Sequence, residues 1–269
     1  LNLDVKNNVL QRDSAGGSQK GRTFMKKMFG MSILLGVFLC STSVSAAAYS
    51  TAINSRPLTL PESAWGVSTA FVADKSFDVG AIGFDFAYGL SDHLQLDLGF
   101  GGLALMPEVD IDLAFGLGVN YSVMDEADLD IDVGLSLPLN FNSGADIVSA
   151  MGIHLNTRYN LMGGDFSIHT GHNFISLDFS GDFAMAIHLP IAFAYQASEH
   201  INLRLGTKLL SIGVVGGGGV TSIADKTPLD FALAYALDNS MDITVGLMAD
   251  AQAFGDTMMF MVGFAYRGL

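Results

Sequence analysis

From Trp65 to its last residues the chain alternates, an apolar side chain and then a small or polar one, in segment after segment. Val109, Ile111, Leu113, Phe115, Leu117, Val119 and Tyr121 occupy one phase; Asp110, Asp112, Ala114, Gly116, Gly118 and Asn120 occupy the other. Leu129, Ile131, Val133, Leu135 and Leu137 alternate in the same way with Asp128, Asp130, Asp132, Gly134 and Ser136. Successive side chains of a strand point to opposite faces, so each segment has one greasy face and one small, acidic face. Twelve segments fit, at about 65–74, 78–89, 93–104, 109–121, 127–138, 146–160, 164–177, 182–196, 199–211, 226–237, 240–252 and 256–267. The seventh shifts its apolar phase near Gly171, which a β-bulge there would repair. The fold class is all-β.

Half of the residues are hydrophobic, 15% are charged, and the mean hydropathy is +0.40. No run reaches the roughly eighteen unbroken apolar residues of a spanning helix. The chain is too apolar, and with 6 prolines too poor in proline, to remain disordered. A formal charge of −14 argues against nucleic acid as a partner, because phosphate binding depends on Lys and Arg. This greasiness without greasy helices has to be carried by the strands.

The N-terminal region has its own pattern. Lys26 and Lys27 precede an apolar run from Met28 to Leu39, and Val44-Ser45-Ala46 closes it with a small-residue cleavage pattern, as in a secretory signal peptide. On this reading translation starts at Met25, residues 1–24 are an unstructured upstream over-extension, 25–46 are removed, and 47–63 form an extended lead-in to a domain at 64–269. Leu39 stands where a lipidation signal before Cys40 would want Gly or Ala, so no lipid anchor is expected. The only cysteine leaves with the signal, which excludes disulfides and thiolate sites from the exported chain. Beyond Ala46, seven bases face 25 acids.

The tyrosines choose among β architectures. Tyr88, Tyr121, Tyr159, Tyr195, Tyr235 and Tyr266 each close an even-numbered segment on its apolar phase, at spacings of 33, 38, 36, 40 and 31 residues, one hairpin apart. If strands run up and down, all six lie at one end and on the outside, with Trp65 entering at the same level. Amphipathic aromatics at one height suit a membrane–water interface. A sheet in hydrocarbon must pair every backbone N–H and C=O and therefore close on itself. Segments of ten to fifteen residues are long enough to cross when tilted, and twelve is an even number. The expected fold is a closed antiparallel up-and-down transmembrane barrel of about twelve strands.

Residues 64–269, together with the signal peptide, the tyrosine girdle and the terminal strand Met258-x-Phe260-x-Val262-x-Phe264-x-Tyr266, resemble the bacterial outer-membrane β-barrel proteins. Such proteins commonly end on an aromatic residue read by the outer-membrane assembly machinery; here Arg267-Gly268-Leu269 follow the tyrosine, a departure from that pattern. The resemblance implies an outer-membrane location, outer-membrane lipid and the assembly machinery as partners, and both termini, the short turns and the tyrosine ring on the periplasmic side. The opposite loops, near 75–77, 105–108, 139–145, 178–181, 212–225 and 253–255, then face outward. Gly216–Gly219 are not followed by the Lys of a phosphate-binding loop.

With the apolar face toward lipid, the lumen is lined by Gly, Ala, Ser and Asn, by Asp85, Asp97, Asp110, Asp112, Asp130, Asp132, Asp230, Asp242 and Asp250, and by three bases, Arg158, Arg204 and Lys208. Small side chains leave room, and unpaired carboxylates persist where water solvates them, so the expectation is a hydrated, acidic passage. A negative wall raises local cation concentration and repels anions. The function this favours is a narrow passive pore for small water-soluble solutes, cations or neutral molecules. A structural or adhesive barrel with a blocked lumen is the alternative. A lipid-modifying enzyme is a third reading; none of His93, His154, His169, His172, His188 and His200 has a serine two residues on, as the His-x-Ser pair of such barrels requires. Asp128-Leu129-Asp130-Ile131-Asp132 lacks the glycine of a calcium loop, and nothing points to a metal or a cofactor.

Overall fold

The computed structural model describes residues 50–268 except 79, 107–109, 112–113, 142–146, 172–173, 180–182, 216–218 and 223–227. The expected signal peptide and the cleavage point lie outside the described residues. Fifteen strands follow one another: β1 (Trp65–Asp74), β2 (Gly80–Ser91), β3 (Leu94–Met106), β4 (Asp110–Ile111), β5 (Ala114–Asp125), β6 (Leu129–Asn140), β7 (Ala150–Leu161), β8 (Phe166–Thr170), β9 (Ile175–Asp178), β10 (Ala184–Gln196), β11 (Ile201–Val215), β12 (Gly219–Ser222), β13 (Pro228–Ala236), β14 (Met241–Asp250) and β15 (Met259–Gly268). The pairs β4/β5, β8/β9 and β12/β13 each make up one crossing, giving twelve. Every pairing is antiparallel between neighbouring crossings, and β1 pairs β15 from Trp65↔Gly268 to Asp74↔Met259, which closes the barrel. Among the described residues a single α-helical turn, Phe254–Thr257, sits between β14 and β15.

The alternation explains this closure. In β6 the outward residues Val133, Leu135 and Leu137 are exposed, while the inward Asp130 and Asp132 are buried. The whole molecule is inside out by the standards of a water-soluble protein. Its exposed residues include Phe84, Phe86, Leu98, Leu117, Phe193, Leu205, Phe231 and Phe264, and among the described residues the buried apolar ones are almost all alanine, with only Leu60, Val72, Met248 and Met261 larger. An apolar surface this extensive is stable only against another apolar phase.

The bulge expected near Gly171 is present. Thr170 pairs Thr157 and Ile191, whereas Ile175 pairs Ile153 and Ile187; five steps along β8/β9 match four on each neighbour. The loop expected at 212–225 is partly a ladder instead. β11 runs on to Val215 and pairs β12 from Ile212↔Ser222 to Val215↔Gly219, because Ile212, Val214, Val215, Val220 and Thr221 are β-branched residues that favour extended pairing.

The lead-in does more than precede β1. Residues 50–63 lie across the end of the barrel that carries the chain terminus. Leu60 N–H donates to Gln95 Oε1 on β3 (2.7 Å), and Leu60 is fully buried. Asn54 N–H donates to Gln196 Oε1 on β10, its Nδ2 donates to the Gly164 carbonyl after β7, and its Oδ1 accepts from Asn202 on β11. Arg56 reaches Asp242 on β14 (2.6 Å). Near the entrance to β1, Ser63 N–H donates to the Gly89 carbonyl and Gly89 N–H to the Ala64 carbonyl; the approach is so close that a Cβ on Gly89 would overlap the Pro61 carbonyl oxygen. The segment is therefore tied to opposite sides of the wall and straps the mouth.

Candidate functional site

Between the strap and the wall lies a partly open cavity of about 170 Å³ in the lumen. Arg56 and Leu58 line it from the strap, Arg158 from β7, His169 from β8, Arg204 from β11, Asp230 from β13, Asp242 from β14, and Arg267 from β15. Each wall residue occupies the inward phase of its strand. The small neighbours Ser68, Ala70, Ala194, Ala232, Ala234 and Gly263 leave the space that larger residues would fill.

Of the residues expected to line the lumen, Arg158, Arg204, Asp230 and Asp242 come together at this cavity. Asp242 accepts from Arg56 and from Arg267 on the same oxygen, Oδ2. Asp130 is buried and accepts from both Nε (2.7 Å) and Nη2 of Arg158. Asp230 stands opposite Gly206, one inward step along from Arg204, which pairs Ala232. The other aspartates are elsewhere. Asp97 accepts from Gln95 Nε2 (2.6 Å) and from Asn120 Nδ2. Asp85 faces inward opposite Ser68, and buried Asp132 pairs Asn156. Lys208 lies inward opposite Pro190, where β11 carries a bulge, and half-buried Asp250 closes β14 by accepting from the Gln252 N–H (3.0 Å). Asp110 opens β4 opposite Ala104, and Asp112 lies outside the described residues.

The sequence led to an expectation of unpaired, solvated carboxylates, and three of the nine aspartates depart from it. Asp97, Asp130 and Asp242 are hydrogen-bonded to protein groups, and four arginines face two aspartates around the cavity. The acid excess of the sequence collects instead at turns and strand ends, as with Asp92, Asp125, Glu126, Asp128, Asp165, Glu199 and Asp238. Five of the seven bases beyond Ala46 point inward or onto the lumen: Arg56, Arg158, Arg204, Lys208 and Arg267. Buried carboxylates recruit the few cations available, because a buried charge is tolerated only when paired. Arg56 and Arg267 escaped the sequence reading. Arg267 carried a usable signal, since it follows outward Tyr266 and so has inward phase; Arg56 carried none.

Three histidines are held by serine hydroxyls inside the barrel: His154 Nε2 with Ser136 Oγ (2.7 Å), His169 Nε2 with Ser167 Oγ (2.8 Å) and His188 Nε2 with Ser176 Oγ (2.9 Å). The Ser167–His169 contact has Ser two residues before the histidine, and Ser167 is fully buried, out of reach of an acyl chain on the outer face. His172 lies outside the described residues. Among those described, no group of three or more His, Cys, Asp or Glu is arranged to hold a metal ion.

The six tyrosines are all outward, with 36–50% of each exposed, and all occupy the strap end of their strands. Trp65 pairs Tyr88 directly, and its ring lies 5.4 Å from that of Tyr266. His93 and His200, from the short turns, rest against Tyr121 (6.3 Å) and Tyr235 (5.9 Å).

The architecture defined by these observations, a closed antiparallel barrel of twelve crossings with an apolar exterior and a polar interior, is that of outer-membrane β-barrel proteins. No protein-family model matches the chain. No curated protein matches it in sequence. Among solved structures it is similar to the KdgM porin (11% identity, 75% of this chain and 98% of that one, TM-score 0.50). It is likewise similar to the KdgM porin in complex with disordered oligogalacturonate (11% identity, the same coverage, TM-score 0.51). The COG4313 outer membrane channel from Pseudomonas putida F1 also matches, at 12% identity over 78% of this chain and 97% of that one, with a TM-score of 0.49. At these identities the likeness is one of fold.

Proposed function

We propose that the protein is a narrow passive pore of the bacterial outer membrane for small water-soluble solutes. The observation that carries this is a closed barrel with large apolar side chains outside and small and polar ones inside, around a cavity where charged groups stand among small residues. Similarity of fold to the KdgM porin supports it. The tyrosine ring and Trp65 serve as its interfacial girdle on the periplasmic side, export proceeds through the segment ending at Ala46, and the assembly machinery inserts the barrel. The acid count favours cations or neutral molecules, but the lining of the cavity shifts the preference toward neutral and anionic solutes. Purified, folded protein in a planar bilayer should give discrete current steps in KCl; silence at every voltage and salt concentration would remove the pore reading.

The strap favours a second reading, a structural barrel with a blocked lumen, because residues 50–63 span one mouth. The two differ in one measurement. A pore conducts with the strap in place, and a blocked barrel conducts only after the strap is cut away. Nothing in the chemistry of the cavity favours an enzyme.

A further inference from the structure

We propose that the cavity beneath the strap is a binding site for a small hydroxylated carboxylate, such as a three-carbon hydroxy acid. The inference deepens the pore reading, on which it rests for the ligand's route of entry. The charge around the cavity comes first. Arg56, Arg158, Arg204 and Arg267 face Asp230 and Asp242, and counting Asp130 against its partner Arg158 still leaves one cation in excess. Asp242 is shared by two guanidiniums, so the Arg56–Asp242–Arg267 group is itself one positive charge over balance. Arg56, Arg158 and Arg267 are buried, and among buried groups such an excess is costly unless an anion joins it.

Unused hydrogen bonds provide the second observation. Arg267 is 7% exposed and donates through Nη2 to Asp242, while its Nε and Nη1 are buried without a hydrogen-bond partner. The other oxygen of Asp242, Oδ1, is likewise buried without a donor. Buried polar groups are nearly always satisfied, so orphan donors and an orphan acceptor on two residues that line one cavity point to an occupant with a matching acceptor and donor. A carboxylate takes the arginine donors by charge-assisted bonds, and a hydroxyl on the same molecule donates to Asp242. Volume sets the size: about 170 Å³ compares with the roughly 150 Å³ that holds a six-carbon ring in an engineered cavity, so six or seven heavy atoms fit.

Lactate and glycerol, each of six heavy atoms, separate charge from shape. In planar bilayers with the mature chain, lactate should reduce the KCl current saturably and the reversal potential should favour chloride, whereas glycerol at equal concentration should leave the current unchanged. In detergent, lactate and not glycerol should raise the unfolding temperature. Arg267→Gln should raise the half-saturating lactate concentration by about tenfold or more, the loss expected for a hydrogen bond to a charged group. If that variant does not give a folded, heat-modifiable band, Arg204→Gln takes its place in the same comparison. Cation preference, equal responses to lactate and glycerol, or undiminished lactate affinity in the folded variant would each overturn the site while leaving the pore intact. Absence of current from every preparation would sink the pore alone. The unfolding temperatures then decide the site: a lactate-specific rise lost in the variant supports it, and no rise refutes it.

Discussion

Asp242 accepts from arginines at the two ends of the barrel chain, Arg56 in the strap and Arg267 in the last strand. Its removal is not equivalent to removal of either partner. Asp242→Asn leaves two buried guanidiniums near one another with no carboxylate between them, the situation in which breaking a buried pair costs about 3–5 kcal/mol. Arg56→Ala leaves the Arg267–Asp242 pair whole and relieves the excess charge, so its cost should be clearly smaller. Urea midpoints for the two variants in detergent should fall in that order below wild type; equal losses would show that Asp242 does not hold the two arginines as a unit. Asp130 and Arg158 form a simpler pair on adjacent strands, and their pairing is local to β6 and β7.

The strap is the element whose removal should change transport most. Its hydrogen bonds to Gln95, Gln196, Asn202 and Asp242 reach four different strands, and Leu58 and Asn54 face the cavity. A mature chain lacking residues 47–60 should conduct at least about twofold more current per channel and admit larger sugars in liposome swelling, because a pore's conductance follows its narrowest section. Unchanged conductance would place the narrowest section elsewhere. The strands themselves were legible in the sequence: the first was expected at 65–74 and spans Trp65–Asp74, and the tyrosine phase and the bulge after Thr170 follow from periodicity alone. The strap was not. The wall partners of Asn54, Arg56 and Leu60 at Gln95, Gln196, Asn202 and Asp242 lie 35 to 186 residues away, and side chains such as Asn54 and Arg56 gain their meaning only after closure brings β3, β10, β11 and β14 around one lumen. For the same reason the aspartates could be assigned to the inner face but not to their partners. Inward phase is a property of one strand, whereas pairing depends on register between two.

For the whole molecule the governing fact is that its apolar side chains lie outside, which makes its stability depend on the depth of each residue in lipid. Trp65, the only tryptophan, reports the level of the tyrosine ring. In vesicles, lipids brominated near the headgroup end of the acyl chains should quench it more than lipids brominated near the chain ends; the reverse order would take the ring away from the interface. A second depth test uses one strand and one substitution. Leu129 pairs Tyr159 at the ring, and Leu135, 50% exposed, lies six residues further along β6 on the same outer face. Six residues advance about 20 Å along a strand, which a tilt near 40° reduces to about 15 Å of height, close to the middle of the apolar band. Leu135→Arg should therefore cost about 2–4 kcal/mol and Leu129→Arg no more than about 1 kcal/mol, read from urea unfolding of the barrel in liposomes. In detergent micelles, which adapt around a charge, the gap between the two should narrow. Equal costs in liposomes would mean that the outer face of β6 does not cross a bilayer along its length, and the membrane-spanning barrel would have to be abandoned whatever the lumen binds.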